Sequence, residues 1–132
     1  MANLLLVDDD PDMADAFAEV LRAEGHSVRM ARDGQEGLSC LADGLPDLII
    51  CDVEMPLVSG PDMAHQILAR DLGQELIPIL LTSGVADLHR VAEKVGTPYF
   101  LGKPFTVAQL IDQLARALSE RRPPLPRPST DP

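Results

Sequence analysis

The stretch PDLIICDVEMP, residues 46–56, joins a run of apolar residues to a single carboxylate. Leu48 to Cys51 have the composition of a strand that is buried on both faces, and Asp52 follows them directly. A carboxylate at the end of a buried strand is costly unless a cation or hydrogen-bond donors meet it there. The stretch therefore predicts a core strand that ends in a binding group.

Length and composition indicate one globular domain. The chain has 132 residues, 45% of them hydrophobic, which is enough for a core without disulfides or structural metals. Cys40 and Cys51 follow no metal-ligand spacing, and we expect reduced thiols in a cytoplasmic protein. The net charge of −10 argues against a nucleic-acid-binding surface on this domain. No leader sequence or long apolar span is visible, so we expect neither export nor membrane insertion.

Five short apolar runs alternate with segments of helical periodicity. The runs are residues 3–7, 27–31, 47–51, 78–82 and 99–102. The helical segments are 11–24, 34–42, 60–71, 86–95 and 107–118, and the first is preceded by Asp10 as a predicted N-cap. Strands that alternate with helices predict an α/β fold of three layers, with a parallel sheet covered on both faces.

The domain is predicted to cover residues 1–120. Residues 121–132, RRPPLPRPSTDP, contain five prolines and no periodicity. Such a composition cannot bury a core, so we expect a disordered tail there.

Polar residues end or directly follow four of the five apolar runs. They are Asp8 and Asp9, Asp52, Thr82 and Ser83, and Lys103. Because ligands of an open parallel sheet bind beyond the carboxyl ends of its strands, we expect these groups to converge. Clustered carboxylates favour a hard divalent cation, for which Mg²⁺ fits best. With an ammonium and a hydroxyl added, the set forms a cradle for a phosphoryl group, and a carboxylate left free to attack gives an aspartyl phosphate.

Each of these positions also has a plain structural interpretation. Asp10 is most simply a helix cap, and an Asp after a strand is commonly a turn residue. The functional interpretation depends on the conjunction of an acidic pair, a third Asp, a hydroxyl and a Lys at four successive strand ends.

The chain resembles the receiver domain of two-component response regulators. The matching motifs are LLLVDDD, LIICDVEMPLVSG, PILLTSG and YFLGKPF, in this order, and the resemblance covers residues 3–118. It implies a flavodoxin-like five-stranded sheet with strand order 2-1-3-4-5.

The resemblance also implies the acceptor and its metal site. Asp52 would be the phosphoacceptor. Mg²⁺ would be bound by Asp9, Asp52 and the backbone carbonyl of Glu54, with Asp8 acting largely through water.

The phosphoryl group would have its own set of ligands. By the same resemblance, Thr82 and Lys103 would bind its oxygens, and the backbone N–H groups of Val53 and Ser83 would complete the cradle. Thr82 and Phe100 would act as the switch that remodels the face made by helix 86–95, strand 99–102 and the last helix. Glu54 and Gly84 depart from the commonest pattern, and we expect them to modulate the dephosphorylation rate.

The partners follow from the resemblance as well. A sensor histidine kinase or a histidine phosphotransfer protein would supply the phosphoryl group, and a downstream protein effector would respond. A dimer that forms on phosphorylation also remains open, as does the choice between a stand-alone receiver and a part of a longer regulator. The domain would be a signalling module rather than a dedicated enzyme.

Three other functions fit the sequence less well. A haloacid-dehalogenase-like phosphatase would need a second Asp two residues after the nucleophile, where this chain has Glu54. A pseudo-receiver would bind partners without phosphorylation, but every expected site residue is present. Nucleotide binding is disfavoured because the chain has no Gly-rich phosphate loop.

Overall fold

The computed structural model describes residues 2–53, 76–84 and 86–125. The strands in these ranges are β1 (Asn3–Val7), β2 (Ser27–Ala31), β3 (Leu48–Asp52), β4 (Ile79–Ser83) and β5 (Tyr99–Gly102). The helices are α1 (Pro11–Ala23), α2 (Gly34–Ala42), α3 (Leu88–Val95) and α4 (Val107–Glu120). The helix predicted over 60–71 lies outside the described residues. None of the described helices has the length and apolar character needed to cross a bilayer.

The five strands form one parallel sheet in the order β2-β1-β3-β4-β5. This confirms the α/β class and the strand order that the resemblance implies. Because every strand runs the same way, all five carboxyl ends lie along one edge of the sheet, hereafter the carboxyl edge. The five amino ends lie along the opposite edge.

Both faces of the sheet are buried. Successive residues of β1 contribute to opposite cores: Leu5 and Val7 lie in the core under α2 and α3, and Leu4 and Leu6 lie in the core under α1 and α4. A strand covered on both sides has no polar face, which explains the continuous apolar runs in the sequence. The three predicted layers are thereby confirmed.

Local sequence signals set the helix ends. The Asp10 side chain accepts hydrogen bonds from the backbone N–H groups of Asp12 and Met13, as its predicted role of N-cap requires. Thr106 and Gln109 form a capping box at the start of α4. These caps satisfy backbone donors that the helices themselves leave without partners.

β3 and β4 each end one residue later than the sequence predicts. Asp52 pairs with Thr82 in the parallel ladder, and the N–H of Val53 donates to the Thr82 carbonyl oxygen at 3.0 Å. Asp52 is therefore the last residue of a strand, not the first residue of a loop. The ladder fixes its backbone, and hence the point from which its side chain projects.

The chain beyond α4 contacts the domain. The described residues 121–125 lie against the amino edge of the sheet, whereas the disorder predicted over 121–132 stays a prediction. The Leu125 N–H donates to the Gly96 carbonyl oxygen at 3.0 Å, and Arg121 Nη1 lies 3.5 Å from Asp47 Oδ1. Residues 126–132 lie outside the described part of the chain.

Arg29 of β2 joins its strand to the end of α2. Its Nη1 donates to the Cys40 carbonyl oxygen at 3.0 Å, and its Nη2 donates to the Gly44 carbonyl oxygen at 2.8 Å. Carbonyls at a helix C-terminus lack intrahelical partners, and a cation there also interacts favourably with the helix dipole.

We predict that Arg29→Ala lowers the free energy of unfolding by about 1–2 kcal/mol, because two charge-assisted hydrogen bonds are lost. The matched control is Arg90→Ala, which removes the same charge from an exposed position on α3. Chemical denaturation of both variants measures the difference. Equal stability of the two variants would show that Arg29 does not hold α2.

Candidate functional site

The carboxyl edge brings together the polar residues that the sequence singled out. Asp8 and Asp9 follow β1, Asp52 ends β3, and Lys103 follows β5. Thr82 lies directly opposite Asp52 in the neighbouring strand β4. These positions result from the parallel register, so no long loop is needed to assemble the site.

Three carboxylates converge at this edge. Asp8, Asp9 and Asp52 each have a carboxylate oxygen within 4.8 Å of the others. Asp8 and Asp52 are buried, whereas Asp9 is exposed. Negative charges held this close in a partly desolvated place repel one another, so the cluster favours a cation.

Lys103 supplies part of that positive charge. Its Nζ lies 3.3 Å from Oδ2 of Asp8 and 3.3 Å from Oδ2 of Asp52. Burial acts to lower the pKa of Lys103, but the nearby carboxylates of Asp52 and Asp8 outweigh it, and the pKa is raised. The lysine is therefore an ammonium at neutral pH, and one ammonium faces three carboxyl groups.

Asp8 is held by both of its carboxylate oxygens. Oδ1 accepts a hydrogen bond from the Asp10 N–H at 2.9 Å, while Oδ2 faces Lys103. Asp10 itself caps α1 and is absent from the carboxylate cluster found among the described residues. The three successive aspartates therefore have different surroundings. Asp8 is buried and hydrogen-bonded, Asp9 is exposed, and Asp10 caps α1.

Thr82 and Ser83 are buried beside Asp52. The Thr82 carbonyl oxygen accepts from the Val53 N–H, and the Ser83 carbonyl oxygen accepts from the Lys103 N–H at 2.8 Å. The resemblance predicts that the Val53 N–H binds a phosphoryl oxygen, but in this structure the N–H donates to the Thr82 carbonyl oxygen of the sheet. A bond from Val53 to a phosphoryl oxygen would require this donor to be shared or released.

Cys51 precedes the central carboxylate but is a poor rival nucleophile. Burial raises the pKa of the Cys51 thiol, and the negative charges of Asp52 and Asp8 raise it further. The thiol therefore stays protonated.

The aromatic residues of β5 lie on opposite faces of the sheet. Phe100 is half-buried and packs against the core under α2 and α3, as does Val91. Tyr99 is fully buried on the other face, and its hydroxyl donates to Glu120 Oε1 at 3.0 Å and accepts from the Arg122 N–H at 3.2 Å. The sequence predicted no role for Tyr99, because the residues that its hydroxyl contacts lie far away along the chain.

Of the two predicted rate-modulating residues, one is described. Gly84 is exposed, and an added Cβ there would meet no atom of the described residues within 4 Å. Glu54, including its backbone carbonyl, lies outside the described residues.

The carboxylate cluster suits a hard divalent ion. Oxygen atoms that bind one Mg²⁺ at roughly 2.1 Å lie at most about 4.2 Å apart. A contraction of a few tenths of an ångström would bring oxygens spaced up to 4.8 Å apart into that range. The donor set, made only of carboxylates, is the type that Mg²⁺ prefers.

Comparisons with known proteins agree with this geometry. The profile of the response regulator receiver domain matches residues 4–115. The response regulator MprA of Mycolicibacterium vanbaalenii is 34% identical over 123 residues, which cover 92% of this chain and 52% of that protein. The chain therefore spans about half the length of the curated relatives it matches.

Solved structures show the same architecture. A putative response regulator from Chloroflexus aurantiacus superimposes with a TM-score of 0.82 at 31% identity, covering 89% of this chain and 98% of that one. The chemotaxis protein CheY4 of Vibrio cholerae gives a TM-score of 0.79 at 29% identity, covering 88% and 98% of the two chains. With its sheet order and its acidic edge, the chain belongs to the response regulator receiver domain family.

Proposed function

We propose that this domain accepts a phosphoryl group on Asp52 in a Mg²⁺-dependent reaction and passes the change to a protein partner. The observation that carries the proposal is the position of Asp52. Its carboxylate ends a rigid buried strand, 3.3 Å from the Lys103 ammonium and inside a cluster of three carboxylates. A nucleophile held in place beside fixed positive charge needs little reorganisation to react.

The metal ligands in this proposal are those that the resemblance to receiver domains implies, and the environment of Asp8 is consistent with its place among them. Both oxygens of Asp8 already have partners, which favours contact through water. Asp9 and Asp52 are proposed as direct ligands, together with the backbone carbonyl of Glu54. Bound there, Mg²⁺ would neutralise the carboxylates and offset the charge of the incoming phosphoryl group.

The transfer itself uses the chain's own groups. A carboxylate oxygen of Asp52 forms a bond to phosphorus while the bond from phosphorus to the donor's histidine nitrogen breaks, and that nitrogen keeps the bonding electron pair. The Lys103 ammonium and the Thr82 hydroxyl bind the phosphoryl oxygens in this proposal. The Ser83 N–H is a further donor, and the Val53 N–H joins it only if its ladder bond is replaced.

The response is proposed to pass through β5 and the two helices beside it. Thr82 adjoins Asp52, and Phe100 of β5 belongs to the same core as Val91 of α3. A change at Asp52 that moves Thr82 would therefore alter the packing of Phe100 and the face formed by α3, β5 and α4.

The proposed partners are proteins of the cytoplasm. A sensor histidine kinase or a histidine phosphotransfer protein would be the donor, and a protein effector would bind the remodelled face. The net charge of −10 supports the absence of a nucleic-acid contact by this domain. Dimerisation on phosphorylation is a further proposal that analytical ultracentrifugation of the phosphorylated form would test.

Intact-mass measurement tests the acceptor. The wild-type chain, incubated with Mg²⁺ and acetyl phosphate, should gain one phosphoryl group, and a chelator should abolish the gain. Asp52→Asn should gain none, whereas Asp12→Asn, at an exposed position on α1, should behave as wild type. An equal adduct on Asp52→Asn, or none on the wild-type chain, would contradict the proposal.

The lifetime of the phosphorylated form tests the rate-modulating residues. Gly84→Ala adds a methyl group in open space, close in sequence to Thr82, and should shield the acyl phosphate and slow its decay. Glu54→Ala should change the decay rate without preventing phosphorylation. We expect changes of about twofold to tenfold, which correspond to barrier changes up to about 1.4 kcal/mol. Decay rates equal to that of Asp12→Asn would remove both residues from this role.

A further inference from the structure

The segment 121–125, which we call the strap, leaves α4 through a turn at Arg121. This residue has φ 50, and its N–H donates to the Ala117 carbonyl oxygen at 2.8 Å. Its Nη1 also lies 3.5 Å from Asp47 Oδ1. The turn ends α4 and directs the chain along the amino edge of the sheet.

The middle of the strap is fixed to the start of β5. The Arg122 N–H donates to the Tyr99 hydroxyl, which in turn donates to Glu120. Arg116 of α4 lies over the Tyr99 ring at 5.4 Å from the centroid. Tyr99 thus connects β5, α4 and the strap through one buried side chain.

The far end of the strap reaches α3. Pro124 is buried, and the Leu125 N–H donates to the carbonyl oxygen of Gly96, the C-cap of α3. The approach is close: a Cβ at Gly96 would lie 1.9 Å from the Leu125 carbonyl oxygen, so only glycine fits. Since α3 and α4 pack on opposite faces of the sheet, the strap crosses from one face to the other.

The two ends of α3 are held differently. At the N-terminal end, Asp87 makes no side-chain capping bond. At the C-terminal end, Gly96 is the C-cap residue and has the left-handed conformation, and the Thr97 hydroxyl donates to the Ile79 carbonyl oxygen. The strap adds a further bond at this second end.

The parallel topology places these ends at opposite edges. β4 ends at the carboxyl edge, so α3 begins on the side of the sheet where Asp52 and Thr82 lie, and runs back to the amino edge. The end of α3 that has no side-chain cap therefore lies at the carboxyl edge, and the end that the strap contacts lies at the amino edge.

From this arrangement we infer that the strap fixes the C-terminal end of α3 to β5, so that α3 pivots about Gly96 when the charge at Asp52 changes. The inference rests on the proposed function for the charge change. Close-packed interiors transmit displacements instead of absorbing them, so a pinned end converts a shift beside Asp52 into a rotation of the helix.

Amide hydrogen exchange of the full chain, measured by NMR, tests the pivot. Val91 reports the first half of α3 and Val95 the last turn. The probe is beryllofluoride with Mg²⁺, a small mimic of an aspartyl phosphate. In the wild-type chain, loading should change the exchange of Val91 and leave that of Val95 unchanged.

Two variants release the strap by different means. Leu125→Pro removes the N–H donor, with Leu125→Ala as its control because the donor is kept. Gly96→Ala introduces the clash, with Gly44→Ala as its control, since Gly44 also has positive φ but open space around it. Without beryllofluoride, both release variants should speed the amide exchange of Val95 by roughly fivefold, as expected for loss of one hydrogen bond. With beryllofluoride bound, the exchange of both Val91 and Val95 should change in these variants.

The outcomes separate the two proposals. The pivot is overturned if Val95 exchanges as slowly in both release variants as in their two control variants. It is also overturned if beryllofluoride changes the exchange of Val91 and Val95 equally in the wild-type chain. If beryllofluoride fails to load Asp52, the proposed function fails and the pivot with it. If Asp52 is loaded and both ends respond alike, only the pivot fails.

Discussion

The carboxyl edge depends on one electrostatic arrangement, the Lys103 ammonium between the buried carboxylates of Asp8 and Asp52. Each Lys103–carboxylate distance is 3.3 Å. Removing one partner of a buried ion pair leaves the others uncompensated, which costs several kcal/mol. The third carboxylate, Asp9, adds negative charge that the lysine does not neutralise. Lys103 thus holds the two buried carboxylates together. The negative charge that it does not neutralise keeps the site receptive to a further cation.

This arrangement is possible because the scaffold around it is rigid. The strands that carry the site are apolar on both faces, so their ends are fixed by packing on two cores. The parallel register sets Asp52 opposite Thr82 and delivers Lys103 from the end of β5. At the other end of β5, Tyr99 and the strap hold the strand to both α3 and α4. A strand of four residues therefore links the charged site to the chain that follows α4.

The sequence predicted those features that depend on local patterns. Apolar runs separated by helical periodicity were sufficient for the fold class, and Asp10 followed by Pro11 was sufficient for the N-cap of α1. Motifs at four strand ends predicted the acidic cluster and its lysine. The features that escaped depend on contacts between distant residues. The ladder extends β3 through Asp52, and the bond from Leu125 to Gly96 joins two residues that are distant along the chain. Tyr99 escaped for the same reason, since its partners lie at the end of α4 and in the strap.

We propose that this edge binds a divalent cation and that Asp52 carries the phosphoryl group. A crystal structure of the chain with Mg²⁺ and beryllofluoride tests it most directly. We expect beryllofluoride on the Asp52 carboxylate, within hydrogen-bond distance of Lys103 Nζ and the Thr82 hydroxyl, and an ion bound by Asp9 and Asp52. Beryllofluoride on another carboxylate, or an ion bound without Asp52, would contradict it.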